Sequence, residues 1–260
     1  MIRIAYFWCR IVAPVIGILA APSALIAQTP DPGTRFVEAN MAYDASRYED
    51  ALSVYRELID RGFAHTPVLY NAANAAFRQG SVGEAVLYYR RAWFTSPRDA
   101  DVRANLQLAQ QRTGALAPET GMLTRAAEEL SFREWGISAS AAFWVLIVAA
   151  GLMAWSREAG RFARPVATAA GIVLLVSLGG WWHWYRWQGG GEAVVVRPDQ
   201  TALYEPRESS TPFFALPEGS IVVVEDRFDA WVKVSSGGNA GWLPAATVTT
   251  VIPWFSPAAK

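Results

Sequence analysis

The chain reads as a multi-domain protein: an all-α helical repeat stack, two transmembrane helices and a small all-β barrel at the C-terminal side. Three observations predict this. Residues 39–97 repeat with a period of 34, two long apolar runs follow, and the stretch after residue 192 breaks into short β-branched runs separated by turn residues.

In the repeat, Ala39, Asn40, Tyr43, Ala51 and Tyr55 fall 34 residues before Ala73, Asn74, Phe77, Ala85 and Tyr89. Self-similarity of that length marks a helix-turn-helix unit whose usual role is to hold another protein. Ala39 and Ala51 let two antiparallel helices approach closely, with Tyr48 and Tyr55 filling the space around them. Ala73, Ala85, Tyr89 and Ala92 do the same in the second copy. Pro97 ends its second helix, and Asp99 to Arg112 starts a third unit whose Asn105 falls 34 after Asn71. These residues resemble the tetratricopeptide repeat, over 34–112. Two copies plus a capping helix is near the minimum for a stable stack, so the module is expected to lean on something else.

With 260 residues, 52% of them hydrophobic, 12 Trp and zero formal net charge, the chain has room for two small domains and apolar sequence left over for a bilayer. Arg3 and Arg10 precede an apolar run from Ile11 to Ala21, then small residues to Ala27 and a polar start at Gln28. That is the layout of a secretory signal peptide at 1–27, with an uncleaved anchor as the alternative. Cys9, the one cysteine, lies ahead of the apolar run and is not placed for lipoprotein acylation; after cleavage no disulfide, thiol nucleophile or Cys-based zinc site is expected.

Residues 137–155 carry no charge, and 165–185 hold only His183 as an ionisable side chain, so both are read as transmembrane helices. The turn between them, 156–164, has Arg157, Arg161 and Arg164 against Glu158, which places it in the cytoplasm. Repeats and barrel then lie on the outer, non-cytoplasmic face of the membrane. Trp135, Trp155, Trp181, Trp182, Trp184, Tyr185 and Trp187 flank the spans as interfacial anchors, and His183 among them is read as part of that belt. Between repeats and spans, the linker 113–136 has Leu123, Ala126, Ala127 and Leu130 at helical spacing. It is either an amphipathic helix on the membrane surface or a last turn of the stack.

After the glycine-rich linker 186–192, strands are expected at Ala193–Val196, Ala202–Tyr204, Ile221–Glu225, Trp231–Val234 and Gly241–Leu243, giving a barrel over 193–252 and a tail at 253–260. Leu216-Pro-Glu-Gly-Ser-Ile-Val-Val-Val, then Trp231-Val-Lys-Val, then Gly241-Trp-Leu-Pro resemble a bacterial SH3-like domain. Strand alternation sends Val232 and Val234 to one face and Trp231 and Lys233 to the other. Tyr204, Trp231 and Trp242 are the candidate binding surface of this barrel. Trp231 either stacks on a ligand or covers the barrel's open end. Ala202-Leu-Tyr-Glu-Pro206 is similar to the start of a proline-peptide groove, although Pro206 stands where a second aromatic is expected.

In the repeats, Asn40 and Asn74 share one position and Asn71 and Asn105 another, three residues earlier in the unit. An amide offers both donor and acceptor, so it can grip a peptide backbone in either polarity. In peptide-binding tetratricopeptide proteins, asparagines at those positions line the concave groove, and Tyr70, Phe77 and Arg78 would share that surface, with Arg78 available for a carboxylate. The alternative is structural: the asparagines cap turns or bond neighbouring helices. The lysines of a terminal-carboxylate clamp are absent.

No catalytic centre, metal site or cofactor is expected. His65 and His183 lie in different segments, and the chain has neither a GxxxxGK[ST] loop nor a GxGxxG after a strand. The balanced charge argues against nucleic-acid binding. The order of export signal, two repeats, paired spans with an arginine-rich turn and a C-terminal SH3-like barrel resembles the BatE family of the Bacteroides-aerotolerance operon. That resemblance implies a membrane-anchored accessory protein, encoded beside von Willebrand factor A membrane proteins and a MoxR-type ATPase. A non-enzymatic scaffold for membrane or periplasmic proteins is the expected function; a peptidoglycan-binding sensor acting through the barrel is the alternative.

Overall fold

In a computed structural model of the protein, residues 31–115, 121–189 and 191–252 are described, the side chains of 186–189 excepted. The expected export signal and the tail 253–260 lie outside these residues. The first part holds five helices: α1 (Pro32–Asp44), α2 (Tyr48–Asp60), α3 (Thr66–Gln79), α4 (Val82–Thr95) and α5 (Ala100–Thr113). Each packs on the next. Ala39, Ala51, Ala73 and Ala85 are fully buried, so the 34-residue period places a methyl group wherever two backbones must close on each other. Local chemistry sets the ends. Asp31 accepts from the Thr34 amide, Asp99 from those of Asp101 and Val102, and Gly80 and Gly114 take φ of 96° and 72° to close α3 and α5.

A short helix, α6 (Met122–Glu128), leads into a long antiparallel pair, α7 (Phe132–Trp155) and α8 (Arg157–Gly189). Over Phe132–Trp155 and Arg157–Tyr185 these two are long and apolar enough to cross a membrane, with mean hydropathies of 2.1 and 1.7. The core helix of a soluble protein would be mostly buried, whereas only 11% and 17% of these stretches are covered. Ser131 and Glu134 form a reciprocal capping box that starts α7. Small residues knit the pair: Ala142, Ala149, Ala163 and Ala170 are buried between the helices, and the hydroxyls of Ser138 and Ser177 lie 2.8 Å apart.

Three expectations shift here. The segment 156–164 is not a loop: Ser156 alone breaks the path, its Oγ accepting the Ala159 amide, and Arg157, Arg161 and Arg164 ride on the first turns of α8. The surface helix expected within 113–136 is only seven residues long. Of the tryptophans read as interfacial anchors, Trp155 and Trp182 are exposed, but Trp135 and Trp184 are buried. The Trp184 indole donates to the carbonyls of Leu130 and Ala127, at 2.8 and 3.1 Å, and the Trp135 indole donates to Ala127 at 2.9 Å. An indole bonded at its N–H can be buried without penalty, and these two fasten the end of α6 to the long pair.

The C-terminal part is one antiparallel sheet of seven strands: β1 (Glu192–Val195), β2 (Gln200–Leu203), β3 (Pro212–Leu216), β4 (Ile221–Phe228), β5 (Trp231–Ser236), β6 (Asn239–Pro244) and β7 (Val248–Thr250). Its order is β3-β2-β6-β5-β4-β1-β7. Five strands are expected from sequence. The two unforeseen ones, β3 and β7, are the edges: β3 opens on Pro212 after Ser209-Ser-Thr, which reads as turn, and β7 follows a single helical turn at Ala245–Thr247. Within the sheet, Ala193, Val195, Ala202, Leu216, Val222, Val232, Val234 and Leu243 form its own core.

Candidate functional site

Each repeat contains the same hydrogen-bonded triad. In the first, Asn40 Oδ1 accepts from Tyr55 Oη at 2.6 Å and from Asn71 Nδ2 at 2.9 Å. In the second, Asn74 Oδ1 accepts from Tyr89 Oη at 2.5 Å and from Asn105 Nδ2 at 3.4 Å. Asn105 Nδ2 also donates to Tyr70 Oη at 2.9 Å. The tyrosines come from the second helix of each unit and the donating amides from the next unit. Each triad therefore pins α1 to α3, or α3 to α5. Burial pushes the Tyr55 hydroxyl up to about 12 and raises that of Tyr89 as well, which keeps both as donors.

The triads use one acceptor atom of Asn40 and Asn74 and one donor group of Asn71 and Asn105. All four side chains are half-buried. They sit on one face, because Asn71, Asn74 and Arg78 are spaced i, i+3, i+7 along α3, and Asn105, Leu108 and Arg112 repeat that spacing along α5. Leu108 is 52% exposed at its middle. Arg78 lies 5.8 Å over the Tyr48 ring, and Arg112 lies 5.1 Å over the ring of Phe77. Arg78 and Arg112 are exposed and have no carboxylate partner among the described residues. Phe77 is thus roofed by a guanidinium rather than open, and Tyr70 packs edge-on against Tyr89 with centroids 5.9 Å apart.

On the sheet, Val232 and Val234 are buried while Trp231 and Lys233 lie on the opposite face, the arrangement that alternation predicts. Lys233 pairs across to Trp242, and Trp231 to Pro244 and Phe228, so these side chains share that face. Tyr204 stands apart from them, 56% exposed and packed against Phe213 with ring centroids 4.2 Å apart and planes tilted by 30°. Among the described residues no ring contact joins Tyr204 to either tryptophan. His65 precedes α3 and is exposed, and among the described residues no group of three or more His, Cys, Asp and Glu side chains is placed to hold a metal.

The sheet does not hang from a loose joint. It is docked on α4. At the N-terminal end, Glu218 Oε1 accepts from the Gly83 amide at 2.6 Å, a helix cap delivered from the β3–β4 loop. In the middle, Arg90 and Glu192 form a buried two-point ion pair at 2.6 and 3.2 Å, with the guanidinium 4.1 Å over Trp93. Next to it, Arg91 donates to the carbonyls of Val251 and Thr250. Val194, Ile221 and Val251 belong to the same apolar core as the repeats, and Trp184 of α8 joins it against Trp93 and Phe94.

Sequence reasoning misses this joint, and places Glu192 in a linker although it begins β1. Signals were present in the period itself. Arg56 and Arg90 occupy equivalent positions, 34 apart; Arg56 bonds Glu84 of the next repeat, while Arg90 bonds Glu192 of the sheet. The sheet therefore stands where the second helix of a third repeat would stand. Gly83 departs from the period, replacing the residue equivalent to Glu49, and a Cβ there would meet Glu218 Cγ at 2.7 Å, Val195 O at 2.8 Å and Val196 Cα at 2.9 Å. The run Ala193-Val-Val also reads apolar without alternation, as a strand buried on both faces does.

Compared with known proteins, the chain matches no protein-family profile, no curated protein sequence and no solved structure.

Proposed function

We propose that this protein is a membrane-anchored, non-enzymatic scaffold of the bacterial inner membrane. Its tetratricopeptide-like stack and SH3-like barrel face the periplasm, and the stack holds an extended, carboxylate-bearing segment of another envelope protein. The observation that carries this is the pair Arg78 and Arg112. They are exposed, lack a carboxylate partner among the described residues, and lie at equivalent repeat positions over aromatic rings beside the asparagine row. A guanidinium over a ring keeps N–H groups available for a carboxylate, and its planar fork loses little freedom on binding. Leu108 supplies an apolar contact between them, and the unused donors of Asn40 and Asn74 can take a backbone carbonyl. The cytoplasmic position of Arg157, Arg161 and Arg164 under the positive-inside rule supports the periplasmic side for both domains. The likeness to the BatE family makes von Willebrand factor A membrane proteins the first partners to test.

The experiment is photocrosslinking in intact membranes from a photoreactive residue at Leu108, in the full chain, with adducts identified by mass spectrometry. One or two discrete membrane-protein adducts, lost in an Arg78→Glu, Arg112→Glu chain, are expected. Adducts unchanged by that double substitution would refute the acidic-segment reading. A second reading, peptidoglycan binding through the barrel, is favoured by the exposed Tyr204–Phe213 pair, since open aromatic faces stack on sugars. It requires the intact protein, in detergent, to pellet with purified cell wall, and a Tyr204→Ala chain to stay in solution.

A further inference from the structure

We propose that the α7–α8 pair holds one anionic phospholipid at its arginine-bearing end. This inference rests on the reading of α7 and α8 as membrane spans. Two adjoining cavities carry it. The first is a groove of about 520 Å³ between the helices, walled by Trp144, Val148 and Leu152 on one side and Phe162, Ala163 and Val166 on the other. Every residue around it is apolar. The second, about 400 Å³, opens beside it and is formed by Arg157, Glu158, Arg161 and Phe162. Phe162, 76% exposed, lines both, so the apolar groove and the cationic pocket adjoin at one side chain.

The shape follows from the sequence. Ala149, Ala159 and Ala163 leave no side chain to fill the space between the backbones, while Trp144 and Phe162 raise its two rims. In a bilayer such a groove is filled by an acyl chain, because no water is there to enter it. What selects the headgroup is charge. Arg157, Arg161 and Arg164 have no carboxylate partner among the described residues, and Glu158 is the one acidic side chain beside them. Guanidinium groups match a phosphate with two parallel N–H bonds, so a lipid with net negative charge is held better than a zwitterionic one, whose own cation would meet the arginines. Basic pockets between spans are a recurrent place for such lipids.

The test is native mass spectrometry of the full chain released from nanodiscs containing equal phosphatidylglycerol and phosphatidylcholine, preceded by alkaline extraction of the cell membranes. Extraction of the protein into the soluble fraction would overturn the membrane reading itself. If it stays embedded, the expected result is one retained phosphatidylglycerol per chain, in excess over phosphatidylcholine. That excess falls about fivefold for each arginine removed in Arg157→Gln and Arg161→Gln, and persists in Arg161→Lys. Val148→Phe fills the groove without touching charge and is expected to lower retention of both lipids. Equal retention of the two lipids by the parent chain, or a phosphatidylglycerol excess unchanged by both arginine substitutions and by Val148→Phe, overturns the proposal.

Discussion

Two glutamates at equivalent places in the architecture should differ sharply in what they contribute. Glu84 pairs with Arg56, whose side chain is 45% exposed, so water screens the attraction and Glu84→Ala is expected to cost under about 1 kcal/mol. Glu192 pairs with Arg90 where the two side chains are 4% and 8% exposed, and removing it leaves a buried cation, at about 3 kcal/mol or more. Thermal unfolding followed by tryptophan fluorescence should show the larger drop for Glu192→Ala; equal drops would mean that water reaches the joint. Gly83→Ala offers a sign test. In a helix, alanine normally gains up to about 1 kcal/mol over glycine. Here the added carbon meets backbone of β1, which cannot swing away as a side chain can, so a net loss of about 1–3 kcal/mol is expected. A stabilised Gly83→Ala chain would show that the sheet is not seated on α4.

Among the elements, α4 is the hub, with Val82 to Trp93 buried almost throughout. The repeats lie on one side of it, the sheet on another, and the aromatic end of α8 at its C-terminal turn. Close by, α6 carries Glu128, whose carboxyl is pushed above its ordinary range by burial and further by Glu192, with Arg90 and Arg125 drawing it back down. The folded state thus holds this proton more tightly than the unfolded chain does. Stability from this group is fully present below the ordinary carboxylate pKa and is lost as pH rises through the raised folded value. Glu128→Gln is therefore expected to raise the melting temperature at pH 8 and to leave it nearly unchanged at pH 4, in the same detergent. The opposite pH trend would show that pairing with Arg90, not burial, governs the group.

At the scale of the molecule, Val194 and Ile221 of the sheet, Val251 beyond it, and Trp135 and Trp184 of the long helices join the core of the repeats, so sheet and repeats should unfold together. Calorimetry of the full chain should give one transition outside α7 and α8, and a chain cut after Gly189 should lose repeat helicity as well as the sheet. The repeats alone keeping their melting temperature would mean that the sheet contributes nothing to them. This dependence answers the shortness of the stack: with two units and one further helix, the place of the next helix is taken by β1.

The period of 34, the start of a third unit at Asp99, the uncharged runs within α7 and α8 and the alternation in β5 were all legible in the sequence. Each depends on neighbours within a few residues or on a fixed repeat. The asparagines were legible as a position but not as a use: whether an amide faces a ligand or a tyrosine from the adjacent helix depends on how two units stack, and the stack puts Tyr55 and Tyr89 within hydrogen-bond reach. Gly83, Arg90, Glu192, Glu218 and Trp184 could be seen as oddities of pattern. Their partners lie 54 to 135 residues away, and no local rule ranks contacts at that separation. The sequence by itself determined the five repeat helices, the two long apolar helices and five of the seven strands, through periodicity and hydropathy. Only the tertiary structure decided that the sheet caps the repeats, because that contact is selected by the shape and charge of two finished surfaces.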